Sequence, residues 1–289
     1  MQKPDYSIRT MTRSEVSLAI DWAAREGWNP GLQDADSYYA ADPNGFLVGL
    51  RGAEPVACTS VIRYGDSFGF LGFYMVRPEY RGQGYGIRIW NAGLKYLQGR
   101  TVGLDGVVDQ QDNYRRSGFT LAYRNIRYAG SGGATPGLTS ADTDTATLVE
   151  LATLPPGVLE GYDRAFFPDD RRRFIHHWVQ QPGCQALGIL QDGVLAGYAV
   201  MRPCLSGYKV GPLFADGPEL AETLFVALKS RLGAGDTLYL DTPEVNPAAV
   251  MLAQRHDMTV AFETARMYTG EAPVLPLQRI YGVTSFEVG

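Results

Sequence analysis

Two stretches of this chain repeat each other at one fixed spacing. "FTLAYRNIRYAG" (119–130) lies beside "MTVAFETARMYTG" (258–270), so that Thr120 matches Thr259, Ala122 matches Ala261 and Arg127 matches Arg266 at an offset of 139. "FLVGLRGAEPVACTSVIR" (46–63) lies beside "ALGILQDGVLAGYAVMR" (186–202), with Arg63 matching Arg202 at the same offset. Matches in order at one offset imply a duplicated domain, and 289 residues are enough for two domains of ordinary size. Between the halves, "AGSGGATPGLTSADTDT" (129–145) has almost no bulky apolar residue and reads as a linker. The expected layout is a first domain over 1–130, a linker over 131–145, a second domain over 146–270 and a tail over 271–289 that docks on the domains, as an added strand or across their seam.

Periodicity predicts mixed elements in the first half. "YSIRTM" reads as a short strand, and "TRSEVSLAIDWAAREG" as a helix capped by Thr12 with Glu15 three residues on. "DADSYYAAD" reads as a shorter helix. "FLVGLRG", "PVACTSVIRY" and "SFGFLGFYMV" read as three successive strands, followed by a glycine loop and the helix "IRIWNAGLKYL". The strand "TVGLDGVV", the helical turn "NYRRSG" and the strand "TLAYRNIRY" complete the half. Successive strands followed by crossovers define an α+β, or mixed α/β, class rather than regular alternation. In the second half, "DRAFFPDDRRRFIHHW" (163–178) reads as one helix with a basic, solvated face over Arg171, Arg172 and Arg173.

Composition narrows the partners. Hydrophobic residues at 45% and charged residues at 20% allow each half a core. A net charge of −5 offers no basic field, so neither nucleic acid nor a membrane is expected as partner. Three cysteines without a Cys-x-x-Cys, and three histidines without ligand spacing, predict neither a disulfide framework nor a metal site. The N-terminus lacks the apolar core of a signal peptide, and no run reaches the ~18 apolar residues of a membrane span. The expectation is a cytoplasmic monomer or homodimer.

"VRPEYRGQGYGIRIW" (76–90) sets Gly82, Gly84 and Gly86 between a strand and a helix. Unpaired N–H groups and the dipole at a helix start favour an anion, and glycines let the backbone approach it. Without a Gly-Lys-Ser/Thr, a magnesium-bound triphosphate is not indicated. Dinucleotide binding stays open. The spacing is Gly-x-Gly-x-Gly rather than Gly-x-Gly-x-x-Gly, but Asp105 stands about 20 residues on, where a ribose-binding acid belongs.

These residues resemble the GNAT N-acetyltransferase superfamily. Arg81-Gly82-Gln83-Gly84-Tyr85-Gly86 matches its Arg/Gln-x-x-Gly-x-Gly/Ala loop, and "YRRSGF" (114–119) matches its Tyr-x-x-x-Gly-Phe ending. With the duplication, the chain resembles the tandem type: two GNAT-like domains, each a twisted, mostly antiparallel sheet flanked by helices, the second degenerate. The resemblance implies an enzyme that moves an acetyl group from acetyl-CoA to a primary amine of a small molecule. A protein lysine or N-terminus is the variant acceptor, and a non-catalytic acyl-CoA sensor the alternative. It implies that Arg81 to Gly86 cradle the CoA pyrophosphate and that Met75 and Val76 pair with the pantetheine arm. Tyr114 takes the place of the family's frequent general acid. Asp105 and Glu26, with Asp109 third, are candidate bases, and water is another. Trp28, Tyr38 and Tyr74 are candidate walls of an acceptor pocket.

The second half lacks five residues where the glycine loop would be, has "FADGPELAETLF" there, and has Ala253 at the tyrosine position. It keeps Asn246 where the superfamily often has an asparagine, and the first half has Val107. One CoA site is therefore expected, in the first half.

Overall fold

The computed structural model describes residues 6–133 and 146–289; most of the expected linker lies outside the described residues. The first half runs β1 (Tyr6–Thr10), α1 (Val16–Arg25), α2 (Asp34–Ala41), β2 (Phe46–Arg51), β3 (Glu54–Tyr64), β4 (Phe68–Val76), α3 (Tyr85–Tyr96), β5 (Thr101–Val107), α4 (Gln111–Arg116) and β6 (Phe119–Ser131). The second runs β7 (Ala146–Glu150), α5 (Val158–Asp163), α6 (Arg172–Trp178), β8 (Gln185–Gln191), β9 (Val194–Pro203), β10 (Tyr208–Ala215), α7 (Pro218–Lys229), β11 (Thr237–Pro243), α8 (Pro247–Arg255), β12 (Thr259–Thr269) and β13 (Ile280–Gly282). The fold is mixed α/β, mostly antiparallel, with each half keeping the same order of strands and helices. Thr12 and Glu15 form the expected capping box ahead of α1, which buries Val16, Ala19, Trp22 and Ala23 at helical spacing.

The two halves exchange their last strands. In sheet order the strands run β1-β2-β3-β4-β5-β12-β6-β11-β10-β9-β8-β7. Strand β12 of the second half lies between β5 and β6 of the first, and β6 in turn pairs with β11 of the second. The sheet is therefore continuous across both halves. One hydrophobic core joins the halves: Tyr38 and Phe73 from the first pack with Trp178 and Phe214 from the second and Phe286 from the tail. Separate cores lie under α3 and under α7 with α8.

Two parallel strand pairs open into wedges. β4 pairs with β5 from Phe68↔Thr101 to Leu71↔Leu104 and no further, although β4 continues to Val76 and β5 to Val107. The pair parts at a bulge in β4, where register shifts between Cys58 and Ser60 of β3 and Phe73 has φ +44°. In the second half β10 pairs with β11 only from Tyr208↔Leu238 to Val210↔Leu240. That wedge is filled by β13, which pairs with β10 at Leu213↔Gly282 and Phe214↔Ile280. Val283 N–H donates to Asp241 O at 2.8 Å and Thr242 Oγ1 to Tyr281 O at 3.2 Å, tying the same segment to β11.

From β13 the chain crosses to the first half. Ser60 Oγ donates to Glu287 O at 2.8 Å and Tyr64 Oη to Val288 O at 2.7 Å. The Glu287 backbone lies so close to Gly72 that no Cβ fits there.

One expectation is corrected. Residues 163–178 are not one helix: α5 ends at Asp163 and α6 starts at Arg172, with Pro168, which has no N–H to give, between them. Nor is Arg171 on a solvated face. It is buried against Asp163 at 2.6 Å, whereas Arg172 pairs with Asp170 at the surface.

Candidate active site

The first wedge opens into a cavity of about 580 Å³. Its walls are Gly72 to Val76 on β4 and Asp105 to Val107 on β5, and the turn before α3 forms its mouth. Gly82 and Gly84 adopt left-handed conformations, φ +73° and +85°, with open space where a Cβ would stand. Gly84 is the N-cap of α3 and offers no side chain, so the first N–H groups of the helix have no intrahelical partner. That suits an anion held by backbone. Gly86 is needed for a different reason: a Cβ would meet Tyr74 Oη at 2.6 Å.

Within the loop, Arg81, Gly82, Gly84 and Gly86 line the cavity. Gln83 and Tyr85 turn away. Gln83 Nε2 donates to Glu79 O at 2.9 Å, and Tyr85 packs its ring 4.8 Å from Tyr6. Arg81 donates from Nε to Val76 O at 2.9 Å and pairs with Glu26, so the two close over the mouth. Glu26 thus stands at the loop with its carboxylate engaged. Met75 and Val76 lie along the β4 wall.

Tyr114 lines the cavity from α4, its ring stacked 5.6 Å from Trp90. The ring lies flat on β5 because residue 106 is glycine; any Cβ there would collide with it. Burial, with the neighbouring Tyr74 adding to it, pushes the Tyr114 phenol up to about 12. It is therefore fully protonated at neutral pH and available as a proton donor.

Asp105 borders the cavity, but both of its oxygens are taken. Arg266 donates to them at 2.9 and 2.6 Å, and Asn125 Nδ2 adds a third bond at 2.8 Å. Burial raises its carboxyl, Arg266 and Asn125 oppose this, and Glu287 adds repulsion, leaving it above the ordinary value. Its geometry is that of a structural ion pair rather than a free base.

Of the aromatic residues, Trp28 and Tyr74 line the cavity and Tyr38 does not. Tyr38 is fully buried, stacked 5.8 Å from Trp178, because α2 packs its inner face on α6. The acceptor end carries residues for which no site role was expected: Arg127, Phe262 and Thr264 from the exchanged strands, and Phe286 and Glu287 from the tail. The expectation that the tail over 271–289 docks on the domains pointed toward the last two.

Among the described residues, the second half shows no counterpart of the glycine loop. Its α7 begins at Pro218, which lacks an N–H, after Gly217 in extended conformation at φ −156°. Asn246 is spent on structure: its Oδ1 accepts from Ala248 N and Ala249 N at 3.1 and 3.3 Å, and its Nδ2 donates to Ile280 O at 2.9 Å.

Comparison with known proteins finds one family along both halves. The model of the acetyltransferase (GNAT) family matches residues 14–119, and an acetyltransferase (GNAT) domain model matches 159–282. The chain belongs to the GNAT superfamily, with two such domains in tandem. It is similar to holothin acyltransferase of Pseudoalteromonas sp. (strain SANK 73390), 28% identical over 98% of this chain and 95% of that one. In fold it matches a Pyrococcus horikoshii protein named as an acetyltransferase, at TM-score 0.82 and 21% identity, over 100% of this chain and 97% of that one. A tandem GNAT protein from the clavulanic acid biosynthesis pathway matches at TM-score 0.61 and 12% identity, over 93% of this chain and all of that one.

Proposed function

We propose that the chain transfers an acetyl group from acetyl-CoA to a primary amine of a small molecule, at one site whose donor end lies in the first half. The observation that carries this reading is the β4–β5 wedge, which joins a glycine-lined helix start to Tyr114 and an aromatic-walled acceptor end in a single cavity. On this reading the CoA pyrophosphate rests on N–H groups around Gly82, Gly84 and Gly86. The pantetheine arm lies along Met75 and Val76 in the place of a strand. The thioester sits at the β4 bulge, where a backbone N–H polarises its carbonyl. Tyr114 protonates the departing sulfur. Trp28 and Tyr74 wall the acceptor side, roofed by Phe262 and Phe286.

A cavity end lined by Trp28, Tyr74, Phe262 and Phe286 favours a small acceptor over a protein lysine, and the full-length similarity to a protein named holothin acyltransferase supports the same choice. The second wedge, filled by β13, supports one donor per chain. Among the described residues no helix is long and apolar enough to cross a membrane. Calorimetric titration with acetyl-CoA, followed by an assay of CoA thiol release with a panel of primary amines, tests the proposal. Binding at one site with amine-dependent release supports it. Binding without release with any amine would favour a sensor, and no binding would overturn the reading.

A further inference from the structure

Glu287 is 4% exposed and stands two residues before Gly289, at the acceptor end of the cavity. Ser285 Oγ donates to its Oε2 at 2.7 Å, and Tyr38 Oη lies 3.0 Å from the same oxygen. Its other oxygen, Oε1, has no protein partner among the described residues and is not sealed in protein. The backbone is held on both sides: Glu287 N donates to Ser285 Oγ at 3.0 Å, and Glu287 O accepts from Ser60 Oγ at 2.8 Å. The carboxylate is thus held through one oxygen, in a residue that lines the cavity.

The charges around it explain why this carboxylate is the one left for chemistry. Asp34 of α2 is paired with Arg202 of β9, Asp105 of β5 with Arg266 of β12, and Asp241 of β11 with Arg127 of β6. Each of these aspartates is matched to an arginine. Lys209 of β10 gives its Nζ to Asn29 O at 3.0 Å and reaches Glu287 only through its field. Glu287 is therefore held by neutral hydroxyl groups and, among the described residues, by no bonded cation. Tyr38 Oη has a single hydrogen and two carboxylates in reach, Glu287 Oε2 and Asp34 Oδ2 at 3.1 Å. That hydrogen can point to Glu287 while it is ionised and turn to Asp34 once it is protonated.

We infer that Glu287 is the catalytic residue that removes the proton from the acceptor amine, with Tyr38 a positioning residue behind it. This rests on the acetyltransferase reading. As the amine nitrogen bonds to the thioester carbon, Glu287 Oε1 takes one N–H proton. The C–S bond then breaks and the sulfur receives a proton from Tyr114. The products are the amide and CoA thiol; Glu287 returns its proton to water, and Tyr114 regains one from water.

The test uses the full chain, acetyl-CoA and the best primary alkylamine from the panel. Glu287→Gln keeps both hydroxyl contacts but cannot accept the proton. Its kcat is expected to fall about 100-fold or more at pH 7. Its rate should climb with pH as the free amine fraction rises, and its calorimetric affinity for acetyl-CoA should stay within twofold of the parent. Tyr38→Phe should lower kcat less and shift the acidic limb of the profile without changing the amine KM. Glu287→Asp, one methylene shorter, serves if the Gln variant does not fold, and should retain a measurable part of the rate with an acidic limb. Normal parent turnover with Glu287→Gln, or Glu287→Asp in its place, unchanged in rate and pH profile would overturn this inference alone. A parent that binds no acetyl-CoA, or releases no thiol with any amine, would overturn the acetyltransferase reading and this inference with it.

Discussion

Arg127 and Asp241 belong to different halves of the chain, yet they meet in a buried bidentate pair with both contacts at 2.7 Å. The duplicate of Arg127, Arg266, makes the same pair with Asp105 in the opposite direction. Each half therefore supplies the arginine for the other half's aspartate, on the strands that are exchanged. The two pairs differ in surroundings. Burial works against the Asp241 carboxylate, but Arg127, Lys209 and Arg202 together hold it below its ordinary value. Asp105 has a single arginine and feels Glu287, and it lies above.

Breaking the first pair should loosen the whole sheet. Arg127→Met leaves Asp241 buried without its bonded partner, which costs about 3–5 kcal/mol. Asp241→Leu added to it removes the stranded charge and should recover most of that loss. Guanidinium denaturation of the two variants and the parent checks this. A single variant within about 1 kcal/mol of the parent would mean the pair is not holding the seam.

The glycine loop predicts an asymmetry between the halves. At Gly84, φ +85°, an alanine meets the left-handed penalty of about 1–2 kcal/mol, and its Cβ stands in the open space where a phosphate would approach. Gly84→Ala should weaken acetyl-CoA binding at least tenfold by calorimetry. Gly217→Ala, at the extended position that opens α7, should leave it unchanged. Equal effects at the two positions would place the donor site elsewhere.

Much of this was readable from the chain itself. The offset of 139 gave two like halves, the glycines marked the turn that lines the cavity, and the resemblance of "YRRSGF" to the family's ending drew attention to Tyr114, which lines it too. The strand exchange was not readable for a physical reason. β6 and β12 carry the same pattern, so periodicity fixes which face each buries but not which neighbour each joins. Asp105 invited a role as base because its partner, Arg266, lies 161 residues away. Tyr38 read as a pocket wall because the packing of α2 on α6 is a tertiary event. Glu287 lies in no motif, and only the path of the tail brings it to the chamber.

Tyr114 should separate chemistry from binding. Tyr114→Phe keeps the stacking on Trp90 but removes the proton donor, so kcat should fall about 100-fold or more while acetyl-CoA affinity holds. Because the phenol is pushed up to about 12, its protonated form persists well into alkaline solution, and no alkaline limb from this group is expected below about pH 11. The stability consequence has a definite sign. The folded state holds this proton more tightly than the unfolded chain, whose tyrosine titrates near ~10. The stabilisation is complete below pH ~10 and is lost as pH rises toward 12. Urea denaturation at pH 9 and 11 should show the parent losing about 1.4 kcal/mol more than Tyr114→Phe. Equal losses would mean that the ring is not held in its protonated form by burial.

Asn246 joins the second half's closed wedge to the path of the tail. It caps α8 through Ala248 N and Ala249 N, and its amide donates to Ile280 O on β13. Asn246→Ala loses a cap worth about 1 kcal/mol and leaves a buried carbonyl unmatched, a further cost of about 1–3 kcal/mol. Asn246→Asp keeps the cap but points a carboxylate at the same carbonyl, so it should not recover the loss. Both effects should appear in denaturation curves. Acetyl-CoA stoichiometry should stay at one in either variant, because loosening β13 does not give α7 the N–H that Pro218 lacks. A second binding event in Asn246→Ala would mean that β13 alone keeps the second wedge from acting as a donor site.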